Sequence, residues 1–449
     1  MTTIDLAQRV HNHNHNLDPF VRSLLDTDFY KLLMAQFIFL KHRDVMASFG
    51  VTNRSKRFFK FADHVDEGSL REQLDFARTL KLTKPERIWL QGNTFYGQTA
   101  IFRHDFLEAL SNLSLPDYSL NKDADGEYEL RFEGTWFEVT LWEIIALSIL
   151  NESRARAGMV DMTRYQLRVL YANATTKLVD KLKRLKAAGV PRIAEFGSRR
   201  RHGFLWQSFV LEAMQEELGD NMLGTSNALH AMNLGLESIG TNAHELPMVH
   251  AALTRLQHGD NKEALMNSPY ALMKDWAEVY SGNLLVALAD TFGTTAFLEN
   301  AMTRLPEIAN WRGFREDSKD PFVAGEEKIA FWKAIGQDPR TKLQLFSDGL
   351  DVDTMIALHK HFDGRIVDGY GWGTLATNDF RGCDPRGGYA LFPASVVCKI
   401  KTAGTKELGM IGAVKLSDNA KKITGPQDEV AFYRNVFGDK GVENINTIV

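Results

Sequence analysis

Three consecutive arginines are the residues in this sequence that most directly suggest chemistry. Arg199, Arg200 and Arg201 follow a short apolar run through Gly-Ser, and they precede the helix-like stretch GFLWQSFVLEAM. Adjacent guanidinium groups repel one another, and their planar forks match carboxylate and phosphate oxygens. The triplet therefore predicts an anionic ligand, although a solvated surface loop would show the same pattern.

Other residues suited to chemistry also close short apolar runs. GTNAHE supplies His244, which suits a general base, a metal ligand or a nucleophile, although a surface histidine is the commoner case. WRGFREDSKDP brings Arg315 and Asp317 together, and FSDGLD supplies Asp348. Carboxylates bind Mg²⁺ and hydroxyl groups, whereas arginines bind phosphates. The combination predicts a phosphorylated, hydroxyl-bearing substrate with Mg²⁺.

GYGWGT is a glycine-rich segment that does not match a known nucleotide fingerprint. Thr374 stands where the third glycine of GxGxxG would be, and the dipeptide Gly-Lys of a Walker A motif does not occur. Gly369, Gly371 and Gly373 would let backbone N–H groups approach a phosphate closely, and a flexible loop is the alternative. HELPMVH fails as a zinc-protease helix because Met248 stands in place of the second histidine.

The elements that must position these residues repeat along the chain. From about residue 190, short apolar runs that end in Gly, Ser, Thr, Asp or Arg alternate with helix-like segments. This alternation predicts a parallel (β/α) barrel, in which the residues at the carboxyl ends of the strands converge on one mouth. The predicted strands are RIAEFGSR, NMLGTSN, LESIGTNAHE, LLVALADT, WRGFREDS, KLQLFSDG and GRIVDGYGWGT.

The first third of the sequence is mixed. LDTDFYKLLMAQFIFLK predicts a helix, with Asp26 or Thr27 as its cap. YELRFEGTWFEVTLW alternates around a Glu-Gly pair and predicts a hairpin near residues 127–142. From YALFPASVVCKIKT onward, the pattern returns to strand and loop.

Composition narrows the class of protein. A chain of 449 residues favours two domains, and its net charge of −4 argues against a general binder of nucleic acid or membrane surfaces. Two cysteines exclude a disulfide framework, and no apolar run reaches the roughly 18 residues of a membrane span. We therefore expect a cytoplasmic protein. The HNHNHN segment offers His11, His13 and His15 to a metal, but a polar, disordered terminus is the favoured interpretation, because no partner ligands lie nearby in the sequence to fix a geometry.

Seven motifs, taken in order, resemble those of nicotinate phosphoribosyltransferases. The resemblance runs from about residue 24 to about residue 402 and implies an α/β fold, with an irregular (β/α) barrel and an additional α/β domain. The barrel, over residues 151–379, would carry the active site, and residues 1–150 with about 380–449 would form the second domain. A homodimer with shared active sites is also implied. The motifs are TDFYKLLMAQ, EFGSRRRHGF, GTSNALHA, GTNAHE, REDSKDP, FSDGLD and GYGWGTLATND.

The resemblance also implies a reaction. Phosphoribosyl pyrophosphate and nicotinate give nicotinate mononucleotide and pyrophosphate, coupled to ATP hydrolysis, as the first step of NAD salvage from nicotinate. ATP would be a co-substrate, and Mg²⁺ would arrive with phosphoribosyl pyrophosphate, which leaves open which residues of the protein, if any, bind the metal. His244 matches the histidine that ATP phosphorylates, and Arg315 and Asp317 match the pair at the ribose and pyrophosphate.

The remaining roles concern substrate binding. Tyr30 and Phe196 match an aromatic pair that sandwiches the pyridine ring, with Tyr30 supplied by the partner subunit. Ser226 stands where relatives that use nicotinamide carry an acid, which would repel the nicotinate carboxylate. The other substrate-binding residues that the resemblance implies are Arg199, Arg200, Asp348, Gly371, Gly373 and Thr374.

One departure and two alternatives remain. Lys319 replaces the glycine of the family's Asp-Ser-Gly-Asp-Pro, which would strain a turn with positive φ and put the reach of Asp320 in doubt.

A first alternative is nicotinamide or quinolinate as substrate. Ser226 and SRRR argue against the amide, and quinolinate enzymes are shorter. A second alternative is a barrel that senses phosphorylated ligands without turnover, against which the phosphorylatable His244 argues.

Overall fold

The structure is a computed structural model that describes residues 18–445, so the HNHNHN segment lies outside the described residues. Its strands are β1 Val45–Asn53, β2 Thr94–Phe95, β3 Gln98–Thr99, β4 Tyr118–Lys122, β5 Tyr128–Thr135, β6 Ile193–Glu195, β7 Met222–Thr225, β8 Val286–Leu288, β9 Gly313–Glu316, β10 Leu343–Phe346, β11 Val367–Trp372, β12 Val396–Thr405 and β13 Gly409–Gly412.

Helices surround these strands. They are α1 Phe29–Lys41, α2 Phe61–His64, α3 Glu67–Thr79, α4 Lys84–Gly92, α5 His104–Asn112, α6 Trp136–Val139, α7 Trp142–Met159, α8 Arg164–Ala187, α9 Phe204–Leu218, α10 Ala228–Leu234, α11 Glu245–His258, α12 Lys262–Val279, α13 Thr294–Arg304, α14 Pro321–Ala334, α15 Val352–Phe362, α16 Thr374–Thr377 and α17 Gln427–Phe437. Among the described residues, no helix combines the length and apolar character that crossing a bilayer requires.

A six-stranded parallel sheet carries the predicted strand-helix alternation. Its order is β7-β6-β11-β10-β9-β8, and its neighbouring strands run parallel. Helices α9, α13, α14 and α15 each connect one strand of this sheet to the next along the chain. Because parallel neighbours need a crossover connection, the helices follow from the strand order. The α/β character is therefore confirmed.

The structure does not show a closed barrel. Strands β7 and β8 end the hydrogen-bonded order of the sheet. The predicted strand LESIGTNAHE is reduced to one parallel bridge between Ser238 and Thr225. Further along that segment, Asn242 Nδ2 donates to the carbonyl of Val286 in β8 at 3.1 Å. The segment therefore lies between the two edge strands without forming a regular strand.

A five-stranded antiparallel sheet joins distant parts of the chain. Its order is β13-β12-β1-β5-β4. Strand β1, near the start of the chain, pairs with β12 from Val45 opposite Thr405 to Asn53 opposite Val396. Helix α7 contacts both β12 and the turn over residues 198–200 that follows β6. This helix therefore lies between the two sheets, while the domain boundaries stay a prediction.

The hairpin predicted near residues 127–142 is wrong. Strand β5 continues through Glu133 and Gly134, and helix α6 begins immediately after it. The hairpin instead joins β4 to β5, where Asp123 Oδ1 accepts hydrogen bonds from the backbone of Asp125 and Glu127, both at 2.9 Å. Gly134 serves a close approach, because an added Cβ would lie 3.3 Å from Pro116 Cβ. Gly134 was thus interpreted as part of a turn, although it lies in β5 and lets the loop that contains Pro116 pack against the strand.

The helix predicted from LDTDFYKLLMAQ is confirmed as α1, but its predicted cap is wrong. Asp28 is the residue that precedes the helix, and its side chain makes no capping hydrogen bond. Asp26 points elsewhere and pairs with Arg201. Phe29, Leu32 and other apolar residues of α1 are fully buried, so packing rather than capping stabilises this helix.

Candidate active site

One cleft contains every site residue that the family resemblance implied. It encloses about 2100 Å³, part of which is open to solvent. Residues at the carboxyl ends of the parallel strands line one side, and Arg54, Val397 and Lys399 from the region of the antiparallel sheet line another. The predicted residues that meet here are Tyr30, Phe196, Arg199, Arg200, Ser226, His244, Arg315, Asp317, Asp348, Gly371, Gly373 and Thr374.

Phe196 lies directly against the glycine-rich strand β11. A Cβ added to Gly371 would collide with the Phe196 ring, and one added to Gly373 would lie 3.3 Å from the Phe196 carbonyl oxygen. The Phe196 N–H donates to the carbonyl of Trp372 at 2.8 Å. These glycines therefore make room for Phe196. That packing explains Gly371 independently of any phosphate, whereas Thr374 at the start of α16 still faces the cleft.

Tyr30 lines the cleft of its own chain. It stands in the first turn of α1, and a Cβ added to Gly240 would lie 2.7 Å from the Tyr30 nitrogen. Burial raises the pKa of the Tyr30 phenol, so the ring stays neutral. Because one chain supplies both Tyr30 and Phe196, the expected contribution of Tyr30 by a partner subunit is not needed to bring the aromatic pair into one cleft.

Arg201 is a structural residue rather than a ligand for a substrate anion. Its guanidinium group is fully buried and pairs with both carboxylate oxygens of Asp26, at 2.6 and 2.9 Å. It also donates to the carbonyl of Phe20 at 2.7 Å. The interpretation that the whole triplet holds substrate anions is therefore wrong for this residue, because an aspartate already compensates its charge.

Arg200 faces the cleft without a carboxylate partner. Within residues 18–445 it makes no ion pair, and its NH1 lies 3.5 Å from Thr374 Oγ1. Its Nε is buried without a hydrogen-bond partner. Burial, with repulsion from Arg199 and Arg54, lowers the pKa of Arg200 to about 10, which still leaves the group charged at neutral pH. A half-buried cation without an ion pair favours an anionic ligand.

His244 stands at the centre of a group of polar side chains. Its Nδ1 lies 2.9 Å from Thr291 Oγ1, and its Nε2 lies 3.0 Å from Asp317 Oδ2 and 2.8 Å from Lys415 Nζ. Burial lowers the pKa of His244 to about 4. The imidazole is therefore neutral at pH 7, which is the form that can act as a nucleophile.

Asp317 is held ionised beside His244. Burial alone would raise the pKa of Asp317. The Arg315 guanidinium group and the hydrogen bond to His244 instead hold this pKa well below its usual range. Arg315 NH2 lies 3.4 Å from Asp317 Oδ1, and Arg315 Nε donates to Ser347 Oγ at 2.9 Å. The pair therefore presents a fixed cation and a fixed anion at the end of β9.

The ligand atoms of His244, Asp290 and Asp317 lie within 4.8 Å of one another, close enough to hold a metal ion. The surroundings do not fit a resident metal. Lys415 Nζ lies 2.8 Å from His244 Nε2, 3.2 Å from Asp290 Oδ2 and 4.0 Å from Asp317 Oδ2. An ammonium group thus already occupies the position from which a cation would reach all three residues.

Comparison with known proteins decides the family. Residues 192–440 match the model of the nicotinate phosphoribosyltransferase (NAPRTase) family, and residues 25–151 match the model of its N-terminal domain. The chain belongs to the nicotinate phosphoribosyltransferase family. The resemblance drawn from the sequence motifs is therefore confirmed, and with it a phosphoribosyltransferase that acts in NAD salvage.

Solved structures of nicotinate phosphoribosyltransferases have the same fold. The enzyme from Porphyromonas gingivalis is 27% identical, with a TM-score of 0.79, over 93% of this chain and 100% of the other. The enzyme from Vibrio cholerae is 26% identical, with a TM-score of 0.81, over 95% of this chain and 96% of the other. The similarity thus covers nearly the whole chain.

Ser226, at the position where the resemblance implied a hydroxyl group instead of an acid, contacts an acidic residue. Its Oγ donates to Asp28 Oδ1 at 2.7 Å. Asp28 lines the same cleft and is almost fully buried, and burial raises the pKa of its carboxyl group. The expectation that this position avoids repelling a nicotinate carboxylate is therefore incomplete, because the neighbouring Asp28 supplies an acid.

Sequence reasoning missed several cations of the cleft, most of them from the C-terminal segment. Lys422 Nζ pairs with Asp348 Oδ1 at 2.5 Å and donates to the Asp317 carbonyl at 2.6 Å. Lys415 contacts His244, as described above. The available signal was a lysine inside an apolar run, as in GAVKL and VVCKI, because such a lysine is buried only where its charge is compensated. The missed cations that line the cleft are Arg54, Arg192, Lys399, Lys415 and Lys422.

Lys319, which departs from the family's usual glycine, causes no backbone strain. It is absent from the non-glycine residues with positive φ among residues 18–445. Its ammonium group bonds to Glu327 Oε2 at 2.7 Å and to Thr295 Oγ1 at 3.1 Å. Asp320 caps α14 by accepting from the backbone of Phe322 and Val323, both at 3.0 Å. The suspected strain is therefore wrong, and Asp320 has a structural role.

Proposed function

We propose that this chain transfers the phosphoribosyl group of phosphoribosyl pyrophosphate to nicotinate, coupled to ATP hydrolysis through a phosphorylated His244. The observation that carries the proposal is the position of His244: a buried neutral imidazole in the cleft that also holds Tyr30, Phe196 and the unpaired Arg200. A sensor of phosphorylated ligands would need the cations but not this nucleophile. Two free, buried cysteines suit a cytoplasmic enzyme.

In the transfer step, the pyridine nitrogen forms a bond to C1 of the ribose as the bond from C1 to the pyrophosphate oxygen breaks. The electron pair of that bond leaves with pyrophosphate. Tyr30 and Phe196 hold the flat ring by stacking, and Arg200 with Thr374 binds a phosphate. Arg315 compensates the charge that develops on the leaving group. These residues act by positioning and by fixed charge, which are the main sources of rate in such reactions.

In the coupling step, a ring nitrogen of His244 attacks the terminal phosphorus of ATP, and ADP leaves with the bonding electron pair. The new phosphohistidine carries additional negative charge, which Lys415 can compensate because it already lies 2.8 Å from Nε2. Mg²⁺ would enter with the substrates and neutralise phosphate charge, and the carboxylates of Asp317 and Asp348 would bind it there. Water then hydrolyses the phosphohistidine.

The test uses purified protein with labelled nicotinate, phosphoribosyl pyrophosphate and Mg²⁺, with and without ATP. We expect nicotinate mononucleotide in both reactions and a higher kcat/KM when ATP is present. A parallel reaction with labelled nicotinamide should be much slower. Faster use of nicotinamide would favour the amide as the substrate, and tight binding of all ligands without product would favour the sensor.

The proposal includes a homodimer with shared active sites, although Tyr30 and Arg315 of one chain already line the same cleft. Mixing Tyr30→Ala subunits with Arg315→Ala subunits tests this point, because both residues line the same cleft. We expect no recovery of activity after subunit exchange. Recovery to about a quarter of wild-type activity would show that each site takes Tyr30 from one subunit and Arg315 from the other. Light scattering checks the dimer, and mass tagging checks the exchange.

A further inference from the structure

Lys31 lies buried between two carboxylates beside the cleft. Its ammonium group is 2.7 Å from Glu143 Oε2 and 2.5 Å from Glu245 Oε2, and it donates to Thr140 Oγ1 at 3.2 Å. The side chain has no exposed surface. A buried ammonium group is stable only where its charge is compensated, and each carboxylate depends on it in turn. We call Lys31, Glu143 and Glu245 the Lys31 cluster.

Two members of the Lys31 cluster are sequence neighbours of proposed site residues. Lys31 follows Tyr30 in the first turn of α1, and Glu245 follows His244 at the start of α11. Within a helical turn, hydrogen bonds fix the backbone, so the position of one residue constrains the next. The ion pair between Lys31 and Glu245 therefore ties the helix of the aromatic Tyr30 to the helix that begins beside His244.

Glu245 cannot turn away from Lys31 without losing other hydrogen bonds. Its second carboxylate oxygen, Oε1, accepts from Trp136 Nε1 at 2.6 Å and from Thr140 Oγ1 at 2.7 Å. Both oxygens of the carboxylate are thus occupied inside the protein. Any displacement of the backbone at His244 must move the ion pair with Lys31 or break these bonds.

Glu143 connects the Lys31 cluster to Arg199, which lines the cleft. Its Oε1 lies 3.9 Å from Arg199 NH1 and 3.8 Å from Lys399 Nζ. Although burial alone would raise it, Lys31 and these two cations hold the pKa of Glu143 at about 2. The carboxylate is therefore ionised throughout the physiological range, and the charge that Arg199 faces depends on how Glu143 is shared with Lys31.

From these contacts we infer that Lys31 is a positioning residue, which couples phosphorylation of His244 to the affinity for nicotinate at Tyr30 and Arg199. Lys31 does not line the cleft, whereas Glu143 and Glu245 do, so it acts through its neighbours. A phosphoryl group on His244 adds negative charge next to Glu245, and Lys31 is the cation that Glu245 shares with the Tyr30 helix. The inference rests on the proposed ATP coupling.

The test compares the KM for nicotinate with and without ATP in wild type and in Lys31→Met. This substitution keeps an unbranched side chain of similar length and removes the charge. In wild type we expect ATP to lower this KM. The ratio of the KM without ATP to the KM with ATP should be about tenfold smaller in the variant than in wild type, since tenfold is a usual size for coupling between sites. Labelling of His244 by γ-labelled ATP should persist. A purely structural role would reduce labelling and transfer together and leave the ratio unchanged.

Arg156 offers a matched control on the same helix, α7, as Glu143. It is a buried cation between Asp18 Oδ2 and Glu152 Oε1, both at 2.8 Å, and it does not line the cleft. Arg156→Met also removes one cation from between two carboxylates. We expect a comparable loss of thermal stability and an unchanged ratio of KM values.

A second variant keeps the inference testable if Lys31→Met does not fold. Lys31→Met/Glu245→Gln removes the Lys31–Glu245 pair, and the glutamine oxygen still accepts from Trp136 and Thr140. Arg199 and Lys399 remain to compensate Glu143. This double variant should fold and lose the same coupling. If either folded variant has the same ratio of KM values as wild type, the inference about Lys31 is overturned, but the proposed ATP coupling is not. A wild type whose nicotinate KM does not respond to ATP would overturn the proposed coupling, and the inference with it.

Discussion

Two groups of side chains in the cleft, which we name the His244 end and the Arg200 end after one member of each, treat charge in opposite ways. At the His244 end, Asp290, Asp317 and Lys415 compensate one another at distances of 3.2 to 4.0 Å, and the imidazole is neutral. At the Arg200 end, Arg200 and Arg54 face the cleft without an ion pair in the described part of the chain. The first end is complete before any substrate binds, whereas the second is electrostatically complete only with an anion.

This difference separates preorganisation from binding. A compensated group costs little to bury and keeps its geometry, which suits a reacting nucleophile. An uncompensated cation destabilises the free protein and recovers that free energy when a phosphate binds. We therefore expect substitutions at the His244 end to change the reaction. Substitutions at the Arg200 end should change affinity and leave stability unchanged or higher.

The largest effect is expected for His244→Ala. It should abolish the nicotinate-stimulated hydrolysis of ATP and leave ATP-independent transfer, because the nucleophile for phosphate is lost while the binding residues remain. Acid-labile label from γ-labelled ATP should appear on wild type only. Equal labelling of His244→Ala would refute the role of this histidine and remove the His244 end from the coupling.

The second largest effect is on stability and concerns Arg201→Met. This substitution leaves the buried Asp26 carboxylate without its cation, which costs about 3–5 kcal/mol for a broken buried pair. Urea unfolding should show the loss directly. Because the guanidinium group has no exposed surface, the KM values of the protein that remains folded should be unchanged. A stable variant with weakened phosphate binding would reverse the assignments of Arg201 and Arg200.

The third prediction is the counterpart, Arg200→Met. It removes a charge-assisted hydrogen bond to a phosphate, worth roughly 1.5–3 kcal/mol, so the KM for phosphoribosyl pyrophosphate should rise by about 10- to 100-fold. Stability should be unchanged or higher, because the repulsion by Arg199 and Arg54 is relieved. Arg201→Met serves as the control at the adjacent position. A loss of stability without a change in KM would contradict the unpaired state of Arg200.

The sequence predicted the strands of the parallel sheet well, but it predicted poorly the segment that lies between the two edge strands. Apolar runs that end in polar residues became β6 to β11, and most residues of inner strands such as β10 are buried on both faces. The run LESIG has the same pattern, but tertiary packing reduced it to a single bridge at Ser238. Lys415 was missed because its contact with His244 joins positions 171 residues apart, and no periodicity reports such a contact.

The pair formed by Ser226 and Asp28 gives a fourth, smaller prediction. Burial raises the pKa of Asp28, and its ionised form should repel the nicotinate carboxylate. The KM for nicotinate should therefore rise as pH increases through the pKa of Asp28. Asp28→Asn should flatten this dependence and lower the KM at high pH by about tenfold, equivalent to about 1.4 kcal/mol. Ser226→Asp, which adds a carboxylate, should act in the opposite direction and favour nicotinamide.

The smallest effect tests whether the low pKa of His244 is special to its end of the cleft. Burial also lowers the pKa of His230, to about 3, and His230 lies outside the cleft, stacked on Phe204 at 4.4 Å. An unfolded histidine takes up a proton near pH 6.5, whereas the folded form does not, so stability must fall as pH drops below that value. For one such residue the loss is about 0.8 kcal/mol at pH 6.

His230→Phe, which keeps an aromatic ring, should reduce this loss. Urea unfolding at pH 8 and pH 6 measures it, with His244→Ala compared at the same two pH values. Both variants should lose stability less steeply than wild type, because a low histidine pKa follows from burial at either position. A change in slope for His244→Ala alone would mean that the charged neighbours of His244, rather than burial, set its pKa.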